Sequence, residues 1–210
     1  GFTPDRSASP MRAVRTVLDG AVDGGLRNRP VRWLMLAAPF TVGVGFYAFY
    51  ALQPYLLELF GDPNAYGIAG LAAAIVAGTQ MIGGWSVRWV RRLFTRRTDA
   101  MLVLAVIGAA ALVLLGVMPL FVVAVGLLVL WALASAIEEP IRRAFLNALI
   151  PSQQRATVLS FDSLIGSAGG VAIQPALGRV ADLNGYAASY VVGGAIQALA
   201  IPFIFLARRE

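Results

Sequence analysis

The sequence predicts an all-α membrane protein with six transmembrane helices, arranged as two inverted three-helix repeats with both termini cytoplasmic. Three observations lead to this fold class: the composition, the lengths of the uncharged runs and the positions of the arginines. Of the 210 residues, 59% are hydrophobic and only 13% are charged, whereas about a quarter of the residues in a soluble domain are charged. The composition therefore places the chain among membrane proteins.

Six apolar segments are long enough to cross a bilayer as helices, which takes about 20 residues each. Their length excludes the strands of a membrane barrel, which need only about 10 residues. The longest uncharged run, 100–137, can hold two spans, with Pro119 at the turn. The predicted spans lie at about 33–57, 65–88, 100–118, 120–140, 156–178 and 186–206. The span at 100–118 is almost wholly Val, Leu, Ala and Gly, which predicts a lipid-facing helix.

The arginines indicate which way the spans run. All 17 basic residues are arginines, and all but Arg179 fall on one side of a six-span arrangement. Because arginine-rich loops stay in the cytoplasm, we expect a multi-pass protein of the cell (inner) membrane with both termini cytoplasmic. The lipid bilayer is thus the expected partner, and the net charge of +6 requires no nucleic acid.

The residues before the first span predict a linker. Residues 1–32 form this cytoplasmic linker, and 33–210 form the transmembrane bundle. Ser9–Pro10 is typical of a helix N-cap followed by a first-turn proline, and Gly24–Gly25 ends the apolar periodicity. We expect an amphipathic helix at about 10–23, lying on the membrane surface or packing on the bundle. A regulatory or partner-binding helix is the alternative.

A faint internal repeat supports the division into two units. The second span ends in GWSVR (84–88), and the fifth is followed by GRVAD (178–182). Each places a charge four residues after a glycine. Because three is an odd number of spans, two three-helix units must be inverted relative to each other.

The arrangement resembles the C-terminal half of a major facilitator superfamily transporter over nearly the whole chain. Residues 9–32 are similar to the linker between that family's two six-helix halves, and 33–206 to its helices seven to twelve. The segment PIRRAFLNALIPSQQRATVLSF (140–161), followed by QPALGRVADLNGYAASY (174–190), is similar to the loop before helix eleven and to helix eleven itself. The resemblance implies a secondary transporter, driven by proton symport or antiport.

A cytoplasmic basic loop is also expected from this resemblance. GGWSVRWVRRLF (83–94) lies where the family has the loop G-x-L-x-D-R-x-G-R-R. Gly84 and Arg92 match this pattern. Arg88 replaces the acidic residue and Arg91 replaces the second glycine, so a charge-relay role is not implied for this loop.

Charge is concentrated at the cytoplasmic end of the fourth span. Such a position reaches water, so these groups can form a hydrated gate or scaffold cluster, in which Glu138, Glu139, Arg142 and Arg143 pair with one another and with Arg155 or Asp162. A substrate or proton site is the alternative. The gate or coupling candidates are Glu138, Glu139, Arg142, Arg155 and Asp162.

Two carboxylates in this region are candidates for proton coupling. Trp131, Ser135, Glu138 and Arg142 share one helix face, so Glu138 can titrate if that face lines a cavity. An ion pair with Arg142 at i+4 is the alternative. Asp162 is either a second coupling carboxylate or a partner of its own helix N-terminus.

Neutral polar residues within the spans predict the wall of a substrate cavity. Buried amides and phenols need hydrogen-bond partners, which a substrate or neighbouring helices can supply. Together with Trp131 and Ser135, the candidates are Tyr47, Tyr50, Gln53, Thr79, Gln80 and Gln174.

These residues favour half of a secondary active transporter, working by alternating access with proton coupling on a small-molecule substrate. Its partner would be a missing N-terminal six-helix half or a second copy. A non-transporting scaffold or a truncated gene fragment is the alternative. We expect no enzyme, metal site or cofactor: the chain has no His or Cys, and the adjacent Glu138 and Glu139 point to different helix faces.

Overall fold

The computed structural model describes residues 22–210. All but the last residues of the predicted linker helix at about 10–23 lie outside this described part. The described chain is helical with no strand, and the prediction of an all-α protein is confirmed over it. A short π-helical turn at Val22–Leu26 precedes α1 (Arg29–Phe60), α2 (Tyr66–Leu93), α3 (Arg97–Val117), α4 (Phe121–Leu149), α5 (Arg155–Ala198) and α6 (Ala200–Arg209).

Five helical stretches in the described residues are long and apolar enough to span a membrane: α1 to α4, and the combined stretch Arg155–Arg209. At 44 residues, α5 alone would extend about 66 Å at 1.5 Å per residue, about twice the thickness of a hydrocarbon core. It is interrupted at Gly185, where φ is 84° and ψ is 165°. A positive φ of this kind suits glycine, which has no Cβ to clash.

Contacts with α1 show that the chain before Gly185 runs in the same direction as α1. A methyl group added at Gly24 would lie 3.0 Å from Val158, and one added at Gly43 would lie 2.8 Å from Ile173. Positions early in one helix thus meet positions early in the other. Residues 155–184 and α1 are therefore parallel neighbours.

Beyond Gly185 the order of contacts is reversed. The ring of Tyr186 lies 6.2 Å from that of Tyr55, whereas the ring of Phe203 lies 5.9 Å from that of Phe40. The chain therefore turns back at Gly185, and residues 186–198 continue into α6 antiparallel to α1.

The buried apolar residues form two clusters at different levels of the bundle. One cluster is centred on Tyr55, Leu112, Leu128, Leu177 and Tyr190. The other is centred on Leu34, Met101, Ile141, Val158 and Ile204. Each cluster combines residues from α1, α3, α4 and α5 or α6, so these helices form the packed part of the structure.

The prediction that the third span faces lipid fails for one side of α3, whereas Val103, Val106 and Val117 are exposed on the other side. Five residues of α3 that are buried against α4 and α5 are Ala100, Met101, Ala105, Ala111 and Leu112. A helix that is apolar on every side can pack against protein as well as against lipid. Its many alanines and glycines allow close approach to both neighbours.

Two helices extend well beyond their predicted spans. The second span was expected to end at 88, but α2 continues to Leu93, so the predicted basic loop is helical and only 94–96 connect it to α3. The fourth span was expected to end at 140, but α4 continues to Leu149. Arginine is a good helix former, so a helix does not end where its apolar run ends.

The closest approach of α1 and α5 depends on a glycine, which gives a test of the packing. A methyl group at Gly169 would collide with the backbone of Pro39, so we expect Gly169→Ala to lower the free energy of unfolding by about 1–3 kcal/mol through overpacking. Gly178 lies on the same helical segment with open space around it. Gly178→Ala is the matched control and should gain up to about 1 kcal/mol of helix stability. Thermal unfolding in detergent, followed by circular dichroism, measures both; equal effects would contradict the close packing.

Candidate functional site

An open cleft of about 530 Å³ lies between α1, α2 and α4, within the range typical of small-molecule sites. Its aromatic wall consists of Phe46, Phe49, Tyr50 and Trp131. Its neutral polar groups belong to Thr41, Thr79, Gln80, Ser135 and Gln197. Its charged groups belong to Glu138, Glu139 and Arg142.

The structure brings most of the predicted candidates together in this cleft. They come from three helices and line it as Tyr50, Thr79, Gln80, Trp131, Ser135, Glu138, Glu139 and Arg142. Gln53 is exposed and Gln174 is half-buried, and neither lines the cleft. The spacing of residues on one helix could not distinguish the cleft face from its neighbours.

Tyr47 lies outside the cleft, in a buried network of hydroxyl groups. Its hydroxyl lies 2.5 Å from Ser189 Oγ, and Ser189 in turn donates to the Tyr186 carbonyl at 2.6 Å. Tyr190 donates to the Ala48 carbonyl at 3.2 Å. These bonds tie α1 to the helix that follows Gly185, so Tyr47 is placed as a helix-packing residue.

Gln197 was not among the predicted site residues, although it is the polar group that joins α5 to the cleft. It is buried, and its Oε1 accepts a hydrogen bond of 3.3 Å from Trp131 Nε1. This bond fixes the indole that forms the floor of the cleft. A lone amide inside an apolar span was the available indication in the sequence.

Arg142 is held by a buried ion pair with Asp162. Its two terminal nitrogens donate to the two carboxylate oxygens at 2.8 and 2.6 Å, and one also donates to the Leu34 carbonyl at 3.2 Å. The side chains are only 12% and 9% exposed. Such bidentate, charge-assisted pairs are the strong ones, and this one links α4, α5 and α1.

Glu138 does not form the i+4 ion pair with Arg142 that the sequence offered as an alternative. It is half-buried and lines the cleft, while its i+4 neighbour Arg142 points to Asp162. Within residues 22–210, no hydrogen-bond donor meets its carboxylate. Glu139 instead pairs with the exposed Arg143.

The other charged candidates lie away from the cleft. Arg155 begins α5 and donates to the Ile150 carbonyl at 3.4 Å. Arg88 and Arg92 lie 6.0 and 5.2 Å from the ring centre of the exposed Trp89. Gly84 and Arg91 are exposed on the same helix. Trp and Arg side by side are typical of a helix end at the membrane–water interface.

The contribution of the Arg142–Asp162 pair to the free energy of unfolding can be tested by removing one charge. Asp162→Asn would leave a buried guanidinium without its counter-charge, so we expect it to lower the free energy of unfolding by about 3–5 kcal/mol. Glu139→Gln breaks only an exposed pair and should cost at most about 1 kcal/mol. Thermal unfolding in detergent provides the comparison.

A double variant separates the loss of the pair from the loss of a single partner. Arg142→Met combined with Asp162→Leu removes both charges, and we expect it to regain most of the stability lost in Asp162→Asn. If Asp162→Asn were no less stable than Glu139→Gln, the pair would not hold the three helices together.

Comparison with known proteins shows which solved structures share this fold. No protein-family profile and no curated protein sequence matches the chain. Solved structures do match it. One is the POT family transporter PepTSo, with a TM-score of 0.72, 18% identity and coverage of 86% of this chain. Another is a bacterial homologue of the human lysosomal transporter Spinster, with a TM-score of 0.67, 19% identity and coverage of 100% of this chain. The matches span 37% and 53% of those two chains. Both are major facilitator superfamily transporters, so the predicted resemblance to that superfamily is confirmed at the level of the fold.

Proposed function

We propose that the chain is the C-terminal six-helix half of a secondary active transporter that moves a small molecule by alternating access, coupled to protons. The observation that carries this proposal is the open cleft, in which a carboxylate without a hydrogen-bond donor among the described residues stands among aromatic and neutral polar groups. A packed scaffold would have no reason to keep such a group uncovered within a membrane-spanning helix.

The cleft is only one wall of a site, which supports the proposal that the chain is half of a functional unit. It opens along α1 and α2, where Phe49 and Tyr50 are at least half exposed. The solved transporters with the same fold are longer than the matched region. An N-terminal six-helix half, or a second copy of this chain, would supply the facing wall, and the substrate would bind between the two.

The orientation follows from the arginines. Six crossings with the arginine-rich connections inside place both termini in the cytoplasm, in the inner membrane of a bacterium. In this orientation α1–α3 and α4–α6 form two inverted three-helix units. The charged end of α4, with Glu139 and Arg142, then stands at the cytoplasmic mouth of the cleft, and Arg155 at the start of α5 lies on the same side of the membrane. Arg88, Arg91 and Arg92 lie at the cytoplasmic interface.

Glu138 is a better candidate for the coupling carboxylate than Asp162. The charge of Asp162 is already compensated by Arg142 through two hydrogen bonds. Glu138 borders the cleft and can exchange a proton with water that enters it. Carboxylates in such positions commonly serve as proton relays in transporters.

Cysteine labelling tests alternating access directly, because the chain contains no cysteine of its own. We expect Ser135→Cys, in the cleft, to react with a membrane-impermeant methanethiosulfonate applied to either side of the membrane, in the full natural reading frame that encodes this chain. Ser152→Cys, in the exposed connection between α4 and α5, is the matched control and should react only from the cytoplasmic side. Labelling of Ser135→Cys from one side alone would favour a non-transporting scaffold.

The role of Glu138 can be tested with the same variant. The labelling rate of Ser135→Cys, divided by that of Ser152→Cys to remove the chemistry of the thiol, should change with pH if protonation shifts the open side of the cleft. Adding Glu138→Gln should remove this dependence, because the amide does not titrate. If the pH dependence survived in Glu138→Gln but disappeared in Glu139→Gln, Glu139 would be the coupling carboxylate and the proposal for Glu138 would be wrong.

A further inference from the structure

The charges around the cleft do not cancel. Three charged residues line it. Arg142 is neutralised by Asp162 at 2.6 and 2.8 Å, and Glu139 is neutralised by Arg143. Among the cleft carboxylates of the described residues, Glu138 alone forms no ion pair. The charge of nearby Arg142 is shared with Asp162, so the five charged groups Glu138, Glu139, Arg142, Arg143 and Asp162 carry a net negative charge when Glu138 is ionised.

Arg142 is not available to bind an anionic substrate. Its guanidinium already donates to both oxygens of Asp162 and to the Leu34 carbonyl, and its side chain is only 12% exposed. An anion would have to displace a bidentate carboxylate, and it would also face the repulsion of Glu138. The cleft therefore selects against negative charge.

The aromatic wall adds an attraction for positive charge. Phe46, Phe49, Tyr50 and Trp131 line the same cleft as Glu138. The face of an aromatic ring attracts a cation, with Trp the most effective. The same rings bury the apolar parts of a ligand. Of the five neutral polar side chains in the cleft, all but Gln80 already make a hydrogen bond within the protein, so few are left to hold a strongly hydrated sugar.

We infer that the cleft binds a lipophilic monovalent organic cation, with the Glu138 carboxylate as its counter-charge and the aromatic wall around its apolar groups. This inference rests on the proposed transport function and adds the substrate class to it. It distinguishes this chain from a transporter of anionic or neutral polar solutes.

Equilibrium dialysis tests this inference without a gradient and without transport. The protein in its full natural reading frame is placed in lipid nanodiscs and titrated with radiolabelled tetraphenylphosphonium; empty nanodiscs give the partition into lipid. We expect saturable binding that unlabelled diphenylacetate, an aromatic anion whose salts with the cation stay in solution, does not displace. Neutral triphenylphosphine oxide should displace it only weakly.

Variants assign the binding to the carboxylate. We expect Glu138→Gln to weaken the binding of tetraphenylphosphonium by about thirtyfold or more, as for the loss of one partner of a buried charge pair. Glu138→Asp keeps the charge and should keep the preference for the cation. Glu58→Gln, which removes an exposed carboxylate outside the cleft, should bind like the parent protein. Size-exclusion profiles establish that each variant is folded.

The outcomes separate this inference from the proposed function. Binding that is equal for the cation and for triphenylphosphine oxide, or unchanged in Glu138→Gln, would overturn the substrate class. If Ser135→Cys still reacted from both sides in that case, the transport function would stand. Selective binding of the cation without access from both sides would instead leave a cation site in a protein that does not transport.

Discussion

Arg142 of α4 reaches across to Asp162 of α5 and to the Leu34 carbonyl of α1, and the form of the cleft follows from this contact. A charge within a membrane-spanning bundle is costly unless it is paired, so neither side chain can leave the other cheaply. The pair fixes the spacing of three helices on the side of the cleft wall. It also takes Arg142 away from Glu138, one turn earlier on the same helix, and so creates the unpaired carboxylate from which the proposed chemistry begins.

Uncharged polar groups elsewhere in the bundle also have partners. Where helices meet closely, hydroxyl groups are satisfied by neighbouring carbonyls, as for Tyr55 with Leu115 at 3.0 Å and Tyr190 with Ala48. Such bonds make a rigid unit, because breaking one leaves a buried polar group unsatisfied. In the cleft, Thr41, Thr79, Ser135 and Gln197 also make hydrogen bonds within the protein. Gln80 and Glu138 line the cleft without such a bond to the described residues, and these two groups distinguish the candidate site from the packed core.

Much of the fold could be predicted from the sequence, because a bilayer permits few solutions. The lengths of the apolar runs gave the spans, and the turn at Pro119 is confirmed by the gap between α3 and α4. The lipid-facing assignment failed for the packed side of α3, because a uniformly apolar helix has no polar side to indicate its surroundings. The site was predicted in part: spacing on α4 grouped Trp131 with Glu138, and Asp162 was among the expected partners of the charges at 138–143. Spacing alone could not choose Asp162 over Glu138 as the partner of Arg142, nor place Tyr47 in a separate network.

The exposed side of the cleft supports the proposal that a second wall of protein covers it in the membrane. Gln80 is exposed on α2, and Glu138 is half-buried beside the exposed Tyr50. An amide and a carboxylate facing hydrocarbon would each lose their hydrogen bonds to water without replacement. A lipid-facing surface is therefore an unsuitable environment for this wall, whereas a water-filled cavity between two halves suits it. The residues that line the cleft thus support the proposed facing partner, and this support comes from the solvation of two side chains rather than from the likeness to any known transporter.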